Sequence, residues 1–265
     1  MTHSAETLLE PVRLLCREAG RAIMEVYASP FAIEHKEDNS PLTEADLRSH
    51  HILEAGLKAL LPEVPVLSEE SASVAPALRR AWDWLWVVDP LDGTKEFIKR
   101  NGEFTVNVAL VHQGRPLLGV VHAPALDLDY CAAAGLGAQR HRGGACEVIH
   151  AATGLVTPLR VVGSRSHRGS SLDGFLERAG EHELVAVGSS LKFCMVAEGA
   201  ADVYPRLGPT SEWDTAAGQC VLEQAGGRVL ELNGEPMLYN QRDTLLNPNF
   251  IACSAAANDW TAWLS

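Results

Sequence analysis

The chain has 265 residues and a mass of 28.6 kDa, enough for one large core or two modest lobes packed together. Its 46% hydrophobic and 21% charged residues, with no fixed-period repeat, exclude a disordered or low-complexity protein. A formal net charge of −12, from 34 acids against 22 Lys and Arg, argues against nucleic-acid polymers as partners and leaves room for a small phosphorylated metabolite where a cation reverses the local potential.

Residues 5–27 place Leu8, Val12, Leu15, Ala19, Ile23 and Val26 at three- and four-residue steps, which predicts an amphipathic helix. Glu6 and Glu10 stand where a secretory leader would be basic, so no such leader is expected. The six cysteines are dispersed without a C-x-x-C pair and fit a reducing cytoplasm with no disulfide-linked partner. After a polar connector at 35–41, Thr43, Glu44, Ala45 and Asp46 open a helix carrying Leu47, Leu53, Leu57 and Leu60, and Pro62 closes it. By local chemistry Asp46 is a first-turn acid favoured by the helix dipole. Residues 64–67 then read as a short strand that delivers Glu69 and Glu70 at its end.

The stretch WVVDPLDGT at 86–94 organises the rest. Trp86, Val87 and Val88 read as the end of a buried strand, and Pro90 removes a ladder donor, so the chain is expected to leave the sheet just after Asp89. Asp89 and Asp92 would then stand at a strand end. Gly93 permits close backbone approach, and a short helix at 94–99 would turn its first amides toward the acids. Carboxylates beside free amides suit a hard divalent cation with an anion on top, which points to metal-assisted phosphate chemistry. Taken alone, Asp-Pro-x-Asp-Gly reads first as a turn signature.

Strands follow at 104–111 and 117–121, joined by a turn at Gln113-Gly114, and again near 130–134 and 137–140, predicting an antiparallel sheet flanked by the two early helices. Thr153-Gly154 marks the expected boundary between residues 1–153, an N-terminal metal-binding α+β lobe, and 154–265, a C-terminal α/β lobe with the substrate-binding residues. Strands at 160–163, 184–187 and 228–232 alternate there with helices at 171–179, 190–198 and after Trp213. Gly188, Ser189, Ser190, Leu191 and Lys192 open a helix after a strand. They read either as a phosphate nest or as a serine N-cap with an exposed lysine. Ser164, Arg165, Ser166 and His167 also follow a strand, and Arg206 could pair with phosphate or with nearby acids.

In combination, Glu69-Glu70, Asp89-Pro90-Leu91-Asp92-Gly93-Thr94 and Trp213-Asp214 resemble the lithium-sensitive, Mg2+-dependent inositol monophosphatase-like family over most of the chain. Within it, the phrases at 188–194, 204–210 and 212–219 resemble the bacterial 3′(2′),5′-bisphosphate nucleotidases of sulfate assimilation. The resemblance implies a layered α-β-α-β-α sandwich of the α+β / α/β class, with metals between two stacked lobes. It implies two or three Mg2+ ions held by Glu69, Asp89, the Leu91 carbonyl, Asp92 and Asp214. It also implies Thr94 and Asp46 as the pair that activates water, with the Gly93 and Thr94 amides on the scissile phosphate. Ser164, His167, Ser189, Lys192, Arg206 and Asp214 would contact the nucleotide. Adenosine 3′,5′-bisphosphate is the expected substrate, with its sulfated relative, and AMP the product. Rival readings are an inositol monophosphatase, a fructose 1,6-bisphosphatase, and a sensor that binds the nucleotide without turnover. A monomer or homodimer in the cytoplasm is expected, and peripheral association with the inner membrane stays open.

Overall fold

A computed structural model describes residues 4–35, 41–71, 74–164, 170–256 and 258–263. In chain order the first half contains α1 (Ala5–Tyr27), the short strands β1 (Glu34–His35) and β2 (Pro41–Leu42), α2 (Glu44–Leu60), β3 (Val66–Ser68), α3 (Pro76–Arg79), β4 (Trp84–Asp92) and α4 (Thr94–Ile98). Five strands complete it: β5 (Thr105–His112), β6 (Arg115–Ala123), β7 (Leu128–Ala133), β8 (Gly137–Arg142) and β9 (Ala145–Ile149). The second half runs β10 (Leu159–Ser164), α5 (Ser170–Ala179), β11 (His182–Val187), α6 (Leu191–Ala197), β12 (Val203–Arg206), α7 (Ala216–Gln224), β13 (Arg228–Glu231) and β14 (Phe250–Cys253).

Strands β3 to β9 lie in sequence order in one 7-stranded sheet, and a 5-stranded sheet has the order β11-β10-β12-β14-β13. The first sheet departs from the expected antiparallel pattern at one edge, where β3 runs parallel to β4. A parallel pair needs a crossover rather than a hairpin, and the segment through Glu69–Ser71 and α3 supplies it.

Alternation along the central strands divides the apolar residues between two faces. Trp86, Val88, Val106 and Val108 pack against Val12, Ile23, Leu53 and Leu57 of α1 and α2. Val87, Ala109 and Val121 face the other way, against Phe193, Val196, Ala217 and Val221 of α6 and α7, whose far side meets Tyr204, Phe250 and Ala252 of the second sheet. On that sheet's outer face Val161, Val203 and Ile251 cover Leu172 and Phe175 of α5 together with Trp260. Each apolar face is buried once, which yields five layers in the order α-β-α-β-α. Polar pairs add to the outermost contact: Arg13 of α1 reaches Asp129 on β7 at 2.7 Å, and His122 Nδ1 approaches the same carboxylate at 2.6 Å.

The expectation that the chain leaves the sheet after Asp89 is corrected by β4, which continues to Asp92. Its ladder with β5 pairs Asp89 with Asn107 and then Asp92 with Thr105, so two residues of β4 face one of β5. Pro90 sits in this bulge, where the ladder does not need its missing N–H.

Candidate active site

The bulge is what brings the first two acids together. Residues three apart on a regular strand point to opposite faces, and one inserted residue restores them to the same face. The Leu91 amide donates to Asp89 Oδ1 at 3.0 Å, which orients that carboxylate. Gly93 then turns the chain at φ 90°, in the left-handed region, and a Cβ there would stand 3.2 Å from the Glu103 carbonyl oxygen.

Asp214 arrives from the second half, on the one-turn 3-10 helix Glu212–Asp214, where its Oδ2 accepts from the Ser211 amide at 2.8 Å. One carboxylate oxygen each from Asp89, Asp92 and Asp214 falls within 4.8 Å of the others. Glu69, at the end of β3, lines the same cleft outside that tight group, and Glu70 does not line it.

Burial raises the Asp89 carboxyl well above the usual range, and repulsion from Glu69, Asp92 and Asp214 adds to it. Asp214 is pushed up to about 7 by burial and by Asp92. Asp92 is also raised by burial, against the opposing pull of Lys192, Ser190 and Asn107. Clustered oxygen ligands that repel one another in a half-closed cleft are the donor set a hard divalent cation takes, so the residues present fit a metal.

The raised values have a sign. Between the ordinary carboxylate pKa and about 7, the folded protein holds protons that the unfolded chain has lost, so stability without metal falls as pH rises through that window. A divalent cation should restore it only where the acids must be ionised. At a fixed Mg2+ concentration ~100-fold above its Kd at pH 8, Tm is expected to rise by roughly 5–10 °C at pH 8 and by much less at pH 5. Equal gains at the two pH values in a thermal-shift titration would contradict this.

Asp46 stands at the start of α2 and faces Thr94. Its Oδ2 accepts from the Thr43 amide at 2.8 Å and the Thr43 hydroxyl at 2.7 Å, closing a capping box at the start of α2. Its Oδ1 faces the Thr94 hydroxyl at 3.3 Å, and that hydroxyl lies 3.3 Å from the Leu91 carbonyl oxygen as well. Burial lifts the Asp46 carboxyl to about 6 against the lowering bonds from Thr43, which places it in the range of a usable proton acceptor. Ser49 of α2 donates to the Pro90 carbonyl oxygen at 2.7 Å, tying the helix that carries Asp46 to the bulge that carries the acids.

Across a cleft of about 310 Å3, the second half contributes Ser164, Ser189, Lys192, Arg206 and Tyr204. Ser189 adopts φ 46°, a strained value for a residue with a side chain, and its buried hydroxyl has no partner among the described residues. Lys192 is buried, its ammonium donates to the Ser189 and Val187 carbonyl oxygens, and it stands 5.4 Å from the centre of the Tyr204 ring. Burial lowers its pKa to about 8. Arg206 donates through Nη2 to the Pro209 carbonyl oxygen at 2.6 Å, and its buried Nε has no partner among the described residues. A lysine, an arginine and an orphaned hydroxyl opposite an acidic cluster suit a phosphorylated ligand bridging the two. Lys192 is therefore not the exposed lysine of the N-cap alternative. Ser190 makes no cap bond either; its hydroxyl faces Asp92 Oδ2 and its oxygen accepts from Asn107 Nδ2. His167 lies outside the described residues.

The sequence did not single out Thr43, Asn107 or Tyr204 as site residues, and it offered Ser190 as part of a phosphate nest or as a cap, not as a partner of Asp92. Asn107 carried a usable signal, an amide inside an apolar strand that is buried on both faces.

Comparison with known proteins matches residues 4–262 to the inositol monophosphatase family. The 3′(2′),5′-bisphosphate nucleotidase CysQ of Salmonella typhimurium is 50% identical over 245 residues, covering 92% of this chain and 98% of its own length. The enzyme of the same description from Haemophilus influenzae is 39% identical over 257 residues, 96% of each chain. Among solved structures, CysQ from Bacteroides thetaiotaomicron superimposes with a TM-score of 0.80 at 42% identity, over 91% of this chain and 94% of that one. An inositol monophosphatase from Thermotoga maritima gives 0.77 at 26% identity, over 96% and 94%.

Proposed function

The chain belongs to the inositol monophosphatase family, and on that premise we propose that it is a metal-dependent 3′(2′),5′-bisphosphate nucleotidase, a phosphoric monoester hydrolase that converts adenosine 3′,5′-bisphosphate to AMP and phosphate. The observation that carries the reading is the convergence of Asp89, Asp92 and Asp214 on one side of a cleft whose other wall holds Lys192 and Arg206. We extend the substrate range to the sulfated relative, which would yield adenylyl sulfate.

In this reading Glu69, Asp89, the Leu91 carbonyl, Asp92 and Asp214 would hold two or three Mg2+ ions. When bound, those ions polarise the phosphoryl and attacking oxygens. The protein's own residues do the rest. Asp46 Oδ1 accepts the Thr94 hydroxyl proton, so that Thr94 Oγ1 can take a proton from the attacking water. The Gly93 and Thr94 amides at the start of α4 orient the scissile phosphate. Ser164, His167, Ser189, Lys192 and Arg206 hold the nucleoside and its second phosphate, and the bridging of both walls excludes bulk water from the reacting centre.

A phosphate-release panel with adenosine 3′,5′-bisphosphate, inositol 1-phosphate and fructose 1,6-bisphosphate, with and without Mg2+, tests this. The first substrate should have the largest kcat/KM, and turnover should vanish on chelation. Arg206→Glu should cost the bisphosphate roughly 10–150-fold, the worth of one charge-assisted hydrogen bond, while inositol 1-phosphate turnover moves by less than about threefold. Preference for a sugar phosphate in the parent enzyme, or nucleotide binding without phosphate release, would defeat the reading.

A further inference from the structure

The loop between β11 and α6 belongs to the second half, yet it is docked on the segment that leads into β5. The Gly188 amide donates to Glu103 Oε2 at 2.8 Å, and a Cβ at Gly188 would lie 2.6 Å from the Glu103 carbonyl oxygen, so only glycine permits this approach. Two residues on, the buried Ser190 hydroxyl lies 2.9 Å from Asp92 Oδ2 and 2.7 Å from the main-chain carbonyl oxygen of Asp214. Asn107 of β5 donates through Nδ2 to Ser190 Oγ at 2.8 Å and to Asp92 Oδ2 at 3.3 Å. Both amide hydrogens of Asn107 are thereby used, and the single hydroxyl hydrogen of Ser190 is shared between a side chain from one half and a backbone group from the other.

This arrangement addresses a physical problem of the site. Asp92 ends β4 of the first sheet, Asp214 lies on the short helix Glu212–Asp214 of the second half, and the two repel each other, so packing alone does not hold their carboxylates at a fixed separation. We propose that Ser190, held by Asn107, is a positioning residue: a latch between the two halves that fixes the Asp92 carboxylate plane relative to Asp214 and so sets the geometry of the cation site. The inference rests on the metal-dependent reading of this same cleft. Ser190 touches neither substrate nor cation in it. It acts through Asp92 and Asp214, as hydrogen-bonded partners of metal ligands do elsewhere.

The test is direct Mn2+ binding, followed by electron paramagnetic resonance or calorimetry on the intact chain, with circular dichroism and Tm recorded in parallel. Ser190→Ala is expected to raise the Mn2+ Kd about 10–100-fold, the usual effect of removing a partner of a metal ligand, with spectrum and stoichiometry unchanged. Ser190→Thr, which keeps the hydroxyl, should stay within about threefold of the parent. Asn107→Ala should weaken binding over a similar range, and the Ser190→Ala/Asn107→Ala pair should lose less than the product of the single losses, because both act on one carboxylate oxygen. Should Ser190→Ala fail to fold, Asn107→Ala and Ser190→Thr carry the comparison. Single variants that bind Mn2+ within about twofold of the parent, or strictly multiplicative losses, overturn the latch while the metal reading stands. A parent protein that binds no Mn2+ overturns both.

Discussion

Asp89→Asn is expected to reduce kcat/KM for adenosine 3′,5′-bisphosphate by roughly 10³-fold while leaving the metal-free protein as stable as the parent or more so. The two effects have one cause. Asp89 is buried beside Glu69, Asp92 and Asp214, and its ionised form is unfavourable there without a cation. Replacing the carboxylate with an amide removes that repulsion and leaves acceptor oxygens nearby for the new N–H groups. It also removes a ligand from the cation site, whose contribution to charge stabilisation is worth several kcal/mol; a loss of about 4 kcal/mol is close to three decades in rate. Thermal denaturation in chelator, set beside initial rates at saturating Mg2+, separates lost chemistry from lost fold. An Asp89→Asn enzyme within about tenfold of the parent would remove Asp89 from the metal site.

Thr94→Ala should lower kcat by about 10²–10⁴-fold, the range general acid–base assistance usually supplies, with little change in KM. Its hydroxyl sits between Asp46 Oδ1 and the Leu91 carbonyl oxygen, each at 3.3 Å, which leaves its oxygen able to accept a proton from an attacking water. Thr94→Ser keeps the oxygen and should recover most of the rate. Asp46→Asn should show a loss of similar size, and the double variant should be little worse than either alone, since the two residues act as one unit. Independent, multiplicative losses from the two changes would separate Asp46 from Thr94 in the mechanism.

Several features were legible in the chain because they depend on neighbouring residues. The three- and four-residue spacing of Leu8, Val12, Ala19, Ile23 and Val26 specifies α1, and those residues are buried on one face of it. The helix start expected at 43–46 is where α2 begins, and Thr43 and Asp46 close a capping box there. The hairpin at Gln113-Gly114 joins β5 to β6. Other features were hidden because they arise from pairing. Residues 145–149 show no strong alternation and become β9 by joining the open edge of β8. No strand was expected at 203–206, a short segment that contains a proline, yet it forms β12 between β10 and β14.

The site divides in the same way. The resemblance carried by the motifs at 69–70, 89–94 and 213–214 pointed to the acids at 69, 89, 92 and 214 and to the hydroxyl at 94, whereas local chemistry alone read the stretch 89–93 as a turn. Only the tertiary structure decided which of them share a face. Asp89 and Asp92 converge because β5 pairs across a bulge, and Asp214 joins them because the middle helical layer brings the second half against the first sheet. The partners that orient them, Asn107 and Ser190, lie far apart in the chain. A residue's type is written in the sequence, but the direction of its side chain is set by the strand or helix packed against it.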